Sequence, residues 1–240
     1  MATILCPLPD KDFDTTEVAV PWKLLREAGH HVVFATERAD VKPECDPLLI
    51  SGVIFGALGA EPEPKAFYAE MSESEELKKP IKWSEIDKEK FDALLLPGGH
   101  APGMRQYLGS EELQKVIADF WKTEKPVAAI CHGVLPLARA RVLSGKKTTC
   151  LPKYMERTAY MITAWKLGRY YRTYDAYVED EVKASLANAE TDFVRGPRAL
   201  TSRGTREDDS PAFVVEDGNY VSSRWPGDAY LFAKKLIARL

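Results

Sequence analysis

A cysteine at the end of an apolar run is the residue of this sequence best suited to chemistry. The run Val127–Ile130 stops at Cys131-His132-Gly133, and a helical pattern follows. The spacing Ala129-x-Cys131-x-Gly133 is that of a strand-to-helix elbow, with Cys where hydrolases carry Ser. Small residues are needed beside the nucleophile because the strained turn presses backbone against backbone. We therefore predict a nucleophilic Cys131; the alternative is an inert cysteine in the core.

The helix that follows the elbow predicts an activated thiol. A helix amino terminus favours the thiolate over the thiol. We expect Cys131 to be the most reactive of the four cysteines, which are Cys6, Cys45, Cys131 and Cys150. They are widely separated and contain no CxxC pair, so we expect neither a disulfide framework nor a zinc site. A reducing, cytoplasmic location fits this pattern.

Composition narrows the possible functions. The chain has 240 residues, 45% hydrophobic and 29% charged, with a formal net charge of −3. Lysine and arginine are scattered, so a nucleic-acid partner is not expected. No apolar run approaches the ~20 residues of a membrane span, and the first residues lack the pattern of a signal peptide. We expect a protein without nucleic-acid or membrane partners.

Apolar strands and amphipathic helices alternate along much of the chain. Strands are predicted at Thr3–Cys6, His31–Ala35, Ala93–Leu96 and Val127–Ile130, and helices at Thr15–Ala28, Ser110–Lys122 and Asp228–Leu240. Fully apolar strands separated by helices indicate a sheet that is covered on both faces. The predicted fold class is therefore α/β, a doubly wound and mostly parallel sheet with these four strands side by side at its centre.

Two segments interrupt the alternation. Residues 45–90 are expected to form an insertion with a helix at Pro64–Lys79, packed down by Phe55, Phe67, Tyr68, Met71 and Trp83. Residues 152–187 are rich in Tyr and Trp and are expected to form a helical cap. Its aromatic side chains either line a substrate pocket or simply pack in the cap. Near the end, AFVVEDGNYVSSRW reads as a hairpin.

Four motifs together resemble one known family. They are LLLPGGH (Leu94–His100), AAICHG (Ala128–Gly133), TEVAVPWKLLREAG (Thr16–Gly29) and WPGDAYLFAKKL. The combination resembles the ThiJ/PfpI superfamily, also called the DJ-one superfamily, and the insertion resembles its heat-shock chaperone and glyoxalase III branch. The resemblance implies a flavodoxin-like, type 1 glutamine amidotransferase-like fold as a single domain over residues 1–240. It also implies chemistry without a metal, nucleotide or other cofactor, and we expect a homodimer.

The resemblance assigns a role to the first helix. Glu17, four positions before Pro21, matches a carboxyl group that contacts the cysteine sulfur and is thought to move protons. In that role we expect Glu17 to be protonated at rest, since the site should be partly desolvated. The alternative is an exposed carboxylate that is stabilised by the helix dipole.

The resemblance also implies a triad and an oxyanion hole. Cys131, His132 and Glu156 match a Cys-His-acid triad, and Gly99 with the backbone amide of His132 matches the oxyanion donors. Sequence neighbours do not face each other on a regular helix, so a direct contact of His132 with the thiol depends on the strained elbow. Glu156 is alternatively a solvated helix residue. His100 is expected to shape its loop rather than to react.

Three functions remain open at this point. The first is a cofactor-independent enzyme on small reactive carbonyls, which converts methylglyoxal to lactate like glyoxalase III or acts as a related deglycase. The second is a Cys-His-Glu hydrolase, amidase or hydratase. The third is a stress chaperone or redox sensor without catalysis, in which Glu17 holds an oxidised Cys131. Fold and nucleophile are common to all three, so they do not identify the substrate.

Overall fold

The structure is a computed structural model that describes residues 1–199 and 201–240. The strands of this part of the chain are β1 (Thr3–Pro7), β2 (Lys11–Phe13), β3 (His31–Thr36), β4 (Glu44–Cys45), β5 (Ile81–Lys82), β6 (Ala93–Leu96), β7 (Val127–Ile130), β8 (Val214–Asp217) and β9 (Tyr220–Ser223). Its α-helices are α1 (Thr15–Glu27), α2 (Pro47–Ser51), α3 (Pro62–Ser72), α4 (Glu75–Lys78), α5 (Met104–Leu108), α6 (Glu111–Trp121), α7 (Leu135–Arg139), α8 (Lys153–Leu167), α9 (Val178–Ser185), α10 (Ala189–Asp192) and α11 (Ala229–Ile237). Short 3₁₀ turns occur at Trp83–Glu85, Lys88–Lys90, Cys131–Val134 and Pro226–Asp228.

Seven strands form one sheet in the order β5-β3-β1-β6-β7-β9-β8. All neighbouring strands in it are parallel except β8 and β9, which form the predicted antiparallel hairpin. The four strands expected at the centre do lie side by side there, so the predicted α/β fold class is confirmed. Strands β2 and β4 pair separately as a small second sheet.

The apolar character of the central strands follows from their surroundings. Every residue of β6 and β7 is buried, because helices pack over the sheet: α1 against α3 and α11, and α6 against α7. Asp14 caps α1 through its side chain, and Ser110 caps α6 in the same way. Because parallel strands end at one edge of the sheet, the loops after β1, β6 and β7 meet there.

The insertion differs in two respects from its prediction. Instead of one helix over Pro64–Lys79, α3 ends at Ser72 and Ser74 caps a new short helix, α4, by accepting a hydrogen bond from the Leu77 N–H. A serine side chain that accepts a hydrogen bond from the backbone N–H three residues later favours the start of a new helix over continuation of the one before it, which explains the break. The other difference is Phe55, which is 87% exposed, although Phe67, Met71 and Trp83 are buried as expected.

A fully buried ion pair connects β9 to the start of α11. The guanidinium of Arg224 donates to both carboxylate oxygens of Asp228 at 2.9 and 2.8 Å, and both side chains are 0% exposed. Asp228 also accepts a hydrogen bond from the Phe213 N–H in the approach to β8. One carboxylate therefore fixes the hairpin and the last helix together.

We expect Asp228→Asn to lower the free energy of unfolding by about 3–5 kcal/mol, because it leaves a buried guanidinium without its counter-charge. Urea unfolding followed by circular dichroism measures the change. Glu75→Gln is the matched control, since its pair with Lys79 is exposed on both sides, and we expect no measurable effect from it. Equal midpoints for Asp228→Asn and wild type would contradict this expectation.

Candidate active site

The elbow after β7 places Cys131 in a strained backbone conformation. Cys131 has a φ of 59°, in the left-handed region, and begins the 3₁₀ turn that leads into α7. A methyl group at Gly133 would lie only 2.1 Å from the carbonyl oxygen of Leu96. The glycine is therefore required by the close approach of the elbow to the end of β6, as the sequence spacing predicts.

Glu17 reaches the same place from the first turn of α1. Its side chain is completely buried, and its Oε2 accepts a hydrogen bond from the Gly98 N–H at 2.8 Å. Its Oε1 is buried without a nitrogen or oxygen partner among the described residues, and the carboxyl group lies within hydrogen-bonding reach of the Cys131 thiol. The Gly98 carbonyl in turn accepts from the Asp14 N–H at 2.9 Å. The start of α1 and the Pro97-Gly98-Gly99 turn thus hold each other in register.

Gly98 is the point where the three loops converge. A methyl group at this position would lie 2.7 Å from the backbone nitrogen of His132 and 2.9 Å from Glu17 Oε2. The elbow, the turn after β6 and the first helix therefore meet at contact distance. The structure brings Glu17, Cys131 and His132 into one site, and the backbone N–H of His132 faces the Cys131 sulfur. Gly99, the expected oxyanion donor, lies next along the turn with Asp12 and Met104 beside its α-carbon.

Burial sets the protonation of Glu17. Loss of water around the carboxyl group, and then the charge of neighbouring Asp14, raise the pKa of Glu17 well above its ordinary value. The hydrogen bond from Gly98 acts in the opposite direction but is the smaller effect. Burial therefore favours the protonated form of Glu17, which is the form that its expected role requires.

The thiol differs from the sequence expectation. Cys131 is only 1% exposed, and burial raises the pKa of Cys131 well above its ordinary value; the negative charge that Glu17 carries when it is ionised acts in the same direction. The sequence analysis expects the helix amino terminus to lower the pKa of Cys131, but the effect of burial is larger. The physical reason is that the elbow continues as a 3₁₀ turn into α7, which has only five residues, so little helix dipole opposes the desolvation.

His132 lies within reach of the thiol despite being its sequence neighbour. Its Nδ1 is 3.5 Å from the Cys131 sulfur, because the positive φ of Cys131 takes the two residues out of regular helical geometry. Burial lowers the pKa of His132 well below its ordinary value. Burial therefore favours the neutral imidazole at rest, and in the tautomer protonated at Nε2 the Nδ1 lone pair faces the thiol.

Glu156 is buried, but it is engaged elsewhere. Its Oε1 accepts a hydrogen bond from Arg172 at 3.2 Å, and its Oε2 accepts one from the Val178 N–H at 2.9 Å, where α9 begins. No hydrogen bond joins Glu156 to His132 in the described part of the chain. Burial raises the pKa of Glu156 to about 7, against the opposing effects of Val178 and Arg172. The structure does not bring it into a triad with the other two residues.

His100 belongs to the site, although the sequence analysis assigns it only a loop-shaping part. Its ring lies edge-on to that of His132, with centroids 4.6 Å apart, and next to Tyr171 at 5.8 Å. The Tyr171 hydroxyl donates to Asp46 Oδ2 at 2.8 Å. The aromatic-rich cap was the signal that could have indicated Tyr171. Asp46 had no comparable signal, because an aspartate before Pro47 reads as an ordinary helix cap.

Across residues 1–199 and 201–240, no three His, Cys, Asp or Glu side chains are grouped so that they could hold a metal ion. Within the same ranges, none of the helices combines the length and the apolar character that a membrane crossing requires.

Comparison with known proteins assigns the chain to a family. The sequence profile described as "ThiJ/PfpI family-like" matches residues 8–197, and the chain belongs to this family. Deglycase PfpI of Pyrococcus furiosus is 27% identical over 233 residues, which are 97% of this chain and 96% of the relative. An uncharacterised protein of Schizosaccharomyces pombe is 29% identical over 95% of this chain and 80% of its own length.

Among solved structures, glyoxalase III from Candida albicans superimposes with a TM-score of 0.70. The match covers 100% of this chain and 97% of that one at 20% sequence identity, which is a likeness of fold. The family resemblance that the four motifs indicated is thereby confirmed.

The raised pKa of the buried Cys131 thiol predicts that its alkylation becomes fast only at high pH. We expect the rate of iodoacetamide labelling at Cys131 to keep rising with pH beyond the ~8.5 of an ordinary cysteine, because the thiol ionises only above that value. Mass spectrometry of peptides labelled across a pH series measures the profile for all four cysteines. A midpoint for Cys131 below pH 7 would instead indicate a resting thiolate.

Proposed function

We propose that the protein is a cofactor-independent cysteine enzyme on small reactive carbonyls, which converts methylglyoxal to lactate or acts as a related deglycase. The observation that carries the proposal is the state of Glu17. Burial favours the protonated form of this carboxyl group, which stands beside the cysteine nucleophile, and one of its oxygens has no nitrogen or oxygen partner in the described part of the chain. Such a group can give and take protons at carbon and oxygen. The relatives that are named deglycases support the same reaction class.

In the first step, the thiol adds to the aldehyde carbon of methylglyoxal. The sulfur–carbon bond forms as His132 Nδ1 takes the thiol proton, and Glu17 gives its own proton to the former aldehyde oxygen. The product is a hemithioacetal on Cys131. Glu17 is now a carboxylate, and its charge is balanced by the protonated His132.

In the second step, the Glu17 carboxylate takes the proton from the former aldehyde carbon and delivers it to the neighbouring carbon. The hemithioacetal becomes a thioester by this isomerisation, without any oxidant. Water then cleaves the thioester: its hydroxyl group forms the new carboxylic acid while Glu17 takes its other proton, the sulfur regains its proton from His132, and the acid leaves as lactate with release of its proton to solvent. The enzyme is back in its starting state, and lactate is released.

The competing triad hydrolase has less support from the contacts. It requires Glu156 to orient His132, whereas both Glu156 oxygens bind Arg172 and the start of α9. The hydrogen bonds of Glu156 favour a role in docking the cap.

The homodimer and the cytoplasmic location stay predictions.

Replacing Glu17 separates the two mechanisms. Glu17→Gln keeps the shape and the contact with Gly98 but has no transferable carboxyl proton, so we expect lactate formation from methylglyoxal to fall by at least ~10²-fold. Cys131 should stay open to alkylation in this variant. An enzymatic assay for lactate, run beside iodoacetamide mapping, measures both.

Glu156→Gln is the matched comparison, because it neutralises a second buried carboxyl group of the same chain. We expect it to retain most of the lactate-forming activity per folded molecule. A severe loss in Glu156→Gln together with a mild one in Glu17→Gln would reject the carbonyl reaction and favour the triad. A wild-type protein that makes no lactate from methylglyoxal, and releases none from glycated substrates, would reject the proposal outright.

A further inference from the structure

The isomerisation leaves one proton unassigned. When the carbon proton moves, the ketone oxygen of the substrate gains a proton and the former aldehyde oxygen loses one. Glu17 is occupied with the proton at carbon during this step. His132 is already protonated, and its Nδ1 faces the sulfur at 3.5 Å. A further group that can both donate and accept a proton is needed at the two oxygens.

His100 Nε2 is a buried nitrogen with no hydrogen-bond partner in the described part of the chain. Among the described residues nothing hydrogen-bonds to it, although the backbone carbonyl of the same residue accepts from Thr173. Buried polar atoms in native proteins are almost always paired, so an unpaired one calls for a ligand or a chemical role. Glu17 Oε1, in the same site, likewise has no nitrogen or oxygen partner among residues 1–199 and 201–240.

The position of His100 places it next to the reacting groups. It directly follows the Pro97-Gly98-Gly99 turn, which supplies the hydrogen bond to Glu17. Its ring touches that of His132, and Tyr171 supports it from a second side. Since the Tyr171 hydroxyl is used by Asp46, it is not the partner of the imidazole.

The charge state of His100 suits proton exchange with an oxygen. Burial of its ring lowers the pKa of His100 to about 4, so the imidazole is neutral at physiological pH. A neutral imidazole carries one N–H donor, and because it is uncharged it does not repel the adjacent protonated His132. Isomerases that form enediols use a neutral histidine in this way beside a carboxylate base.

We propose that His100 is a catalytic residue whose Nε2 carries the proton between the two substrate oxygens during the isomerisation. Nε2–H gives its proton to the ketone oxygen as Glu17 removes the proton from the adjoining carbon. The same nitrogen then takes the proton of the former aldehyde oxygen as the thioester carbonyl forms. One O–H bond is made and one is broken, and His100 ends as it began. This inference rests on the proposed function.

Two substitutions at this position test the role. His100→Phe keeps a flat ring against His132 and Tyr171 but has no proton to exchange, whereas His100→Gln keeps an amide N–H that can donate. We expect His100→Phe to lower kcat for lactate formation by about 10²-fold with little change in KM, since one donor to a developing oxyanion is lost. His100→Gln should recover part of that loss. His31→Phe, an exposed histidine at the start of β3, is the matched control and should behave as wild type.

A single-turnover measurement distinguishes chemistry from shape. With excess enzyme, His100→Phe should form the covalent methylglyoxal adduct on Cys131 at the wild-type rate and then convert it slowly, which intact-protein mass spectrometry detects as accumulated adduct. Unchanged kcat in His100→Phe would overturn the inference. Slowed adduct formation in both His100 variants would also overturn it, because the ring would then only position His132. If wild type forms no lactate at all, the proposed function itself fails, and this result differs from the other two.

Discussion

The close approach of two neighbouring strand ends is the constraint on which the site depends. Adjacent strands of a sheet are about 4.8 Å apart, so the loops that leave β6 and β7 must pass each other almost in contact. Gly133 and Gly98 allow this, because any side chain there would overlap the backbone of the other loop or the carboxyl group of Glu17. The left-handed φ of Cys131 costs about 1–3 kcal/mol. The buried strands on both sides hold the chain in that conformation.

Burial of the site shifts the pKa values of its acidic groups and of its imidazole in opposite directions. Removing water penalises whichever form is charged, so the pKa of Glu17 and that of Cys131 rise while that of His132 falls. Burial therefore favours a neutral thiol, carboxyl group and imidazole at rest over a thiolate–imidazolium pair. In such a site the nucleophile forms only when a proton leaves the sulfur for His132 and the substrate takes up the developing charge. This couples activation of the thiol to the presence of a carbonyl group.

Local patterns were sufficient to predict the central strands and helices of the fold and the elbow at Cys131. Apolar strands, amphipathic helices and the spacing around Cys131 depend on interactions within a few residues, and the structure has these elements where the pattern placed them. Contacts between distant segments were not predictable in this way. The thiol pKa depends on burial by the whole fold, and the partner of Glu156 is an arginine sixteen positions away, in the loop between α8 and α9.

The second half of the site is built by the two segments that interrupt the strand–helix alternation. The insertion contributes Asp46, the cap contributes Tyr171, and their hydrogen bond holds a ring against His100. His100 in turn lies against His132, which faces the nucleophile. The sheet and its first helix therefore supply the groups that make and break bonds to carbon, and the added segments fix the imidazole nearest to them. Because this support crosses between two segments far apart in sequence, a change in either one alters the surroundings of His100 while the elbow and Glu17 keep their places.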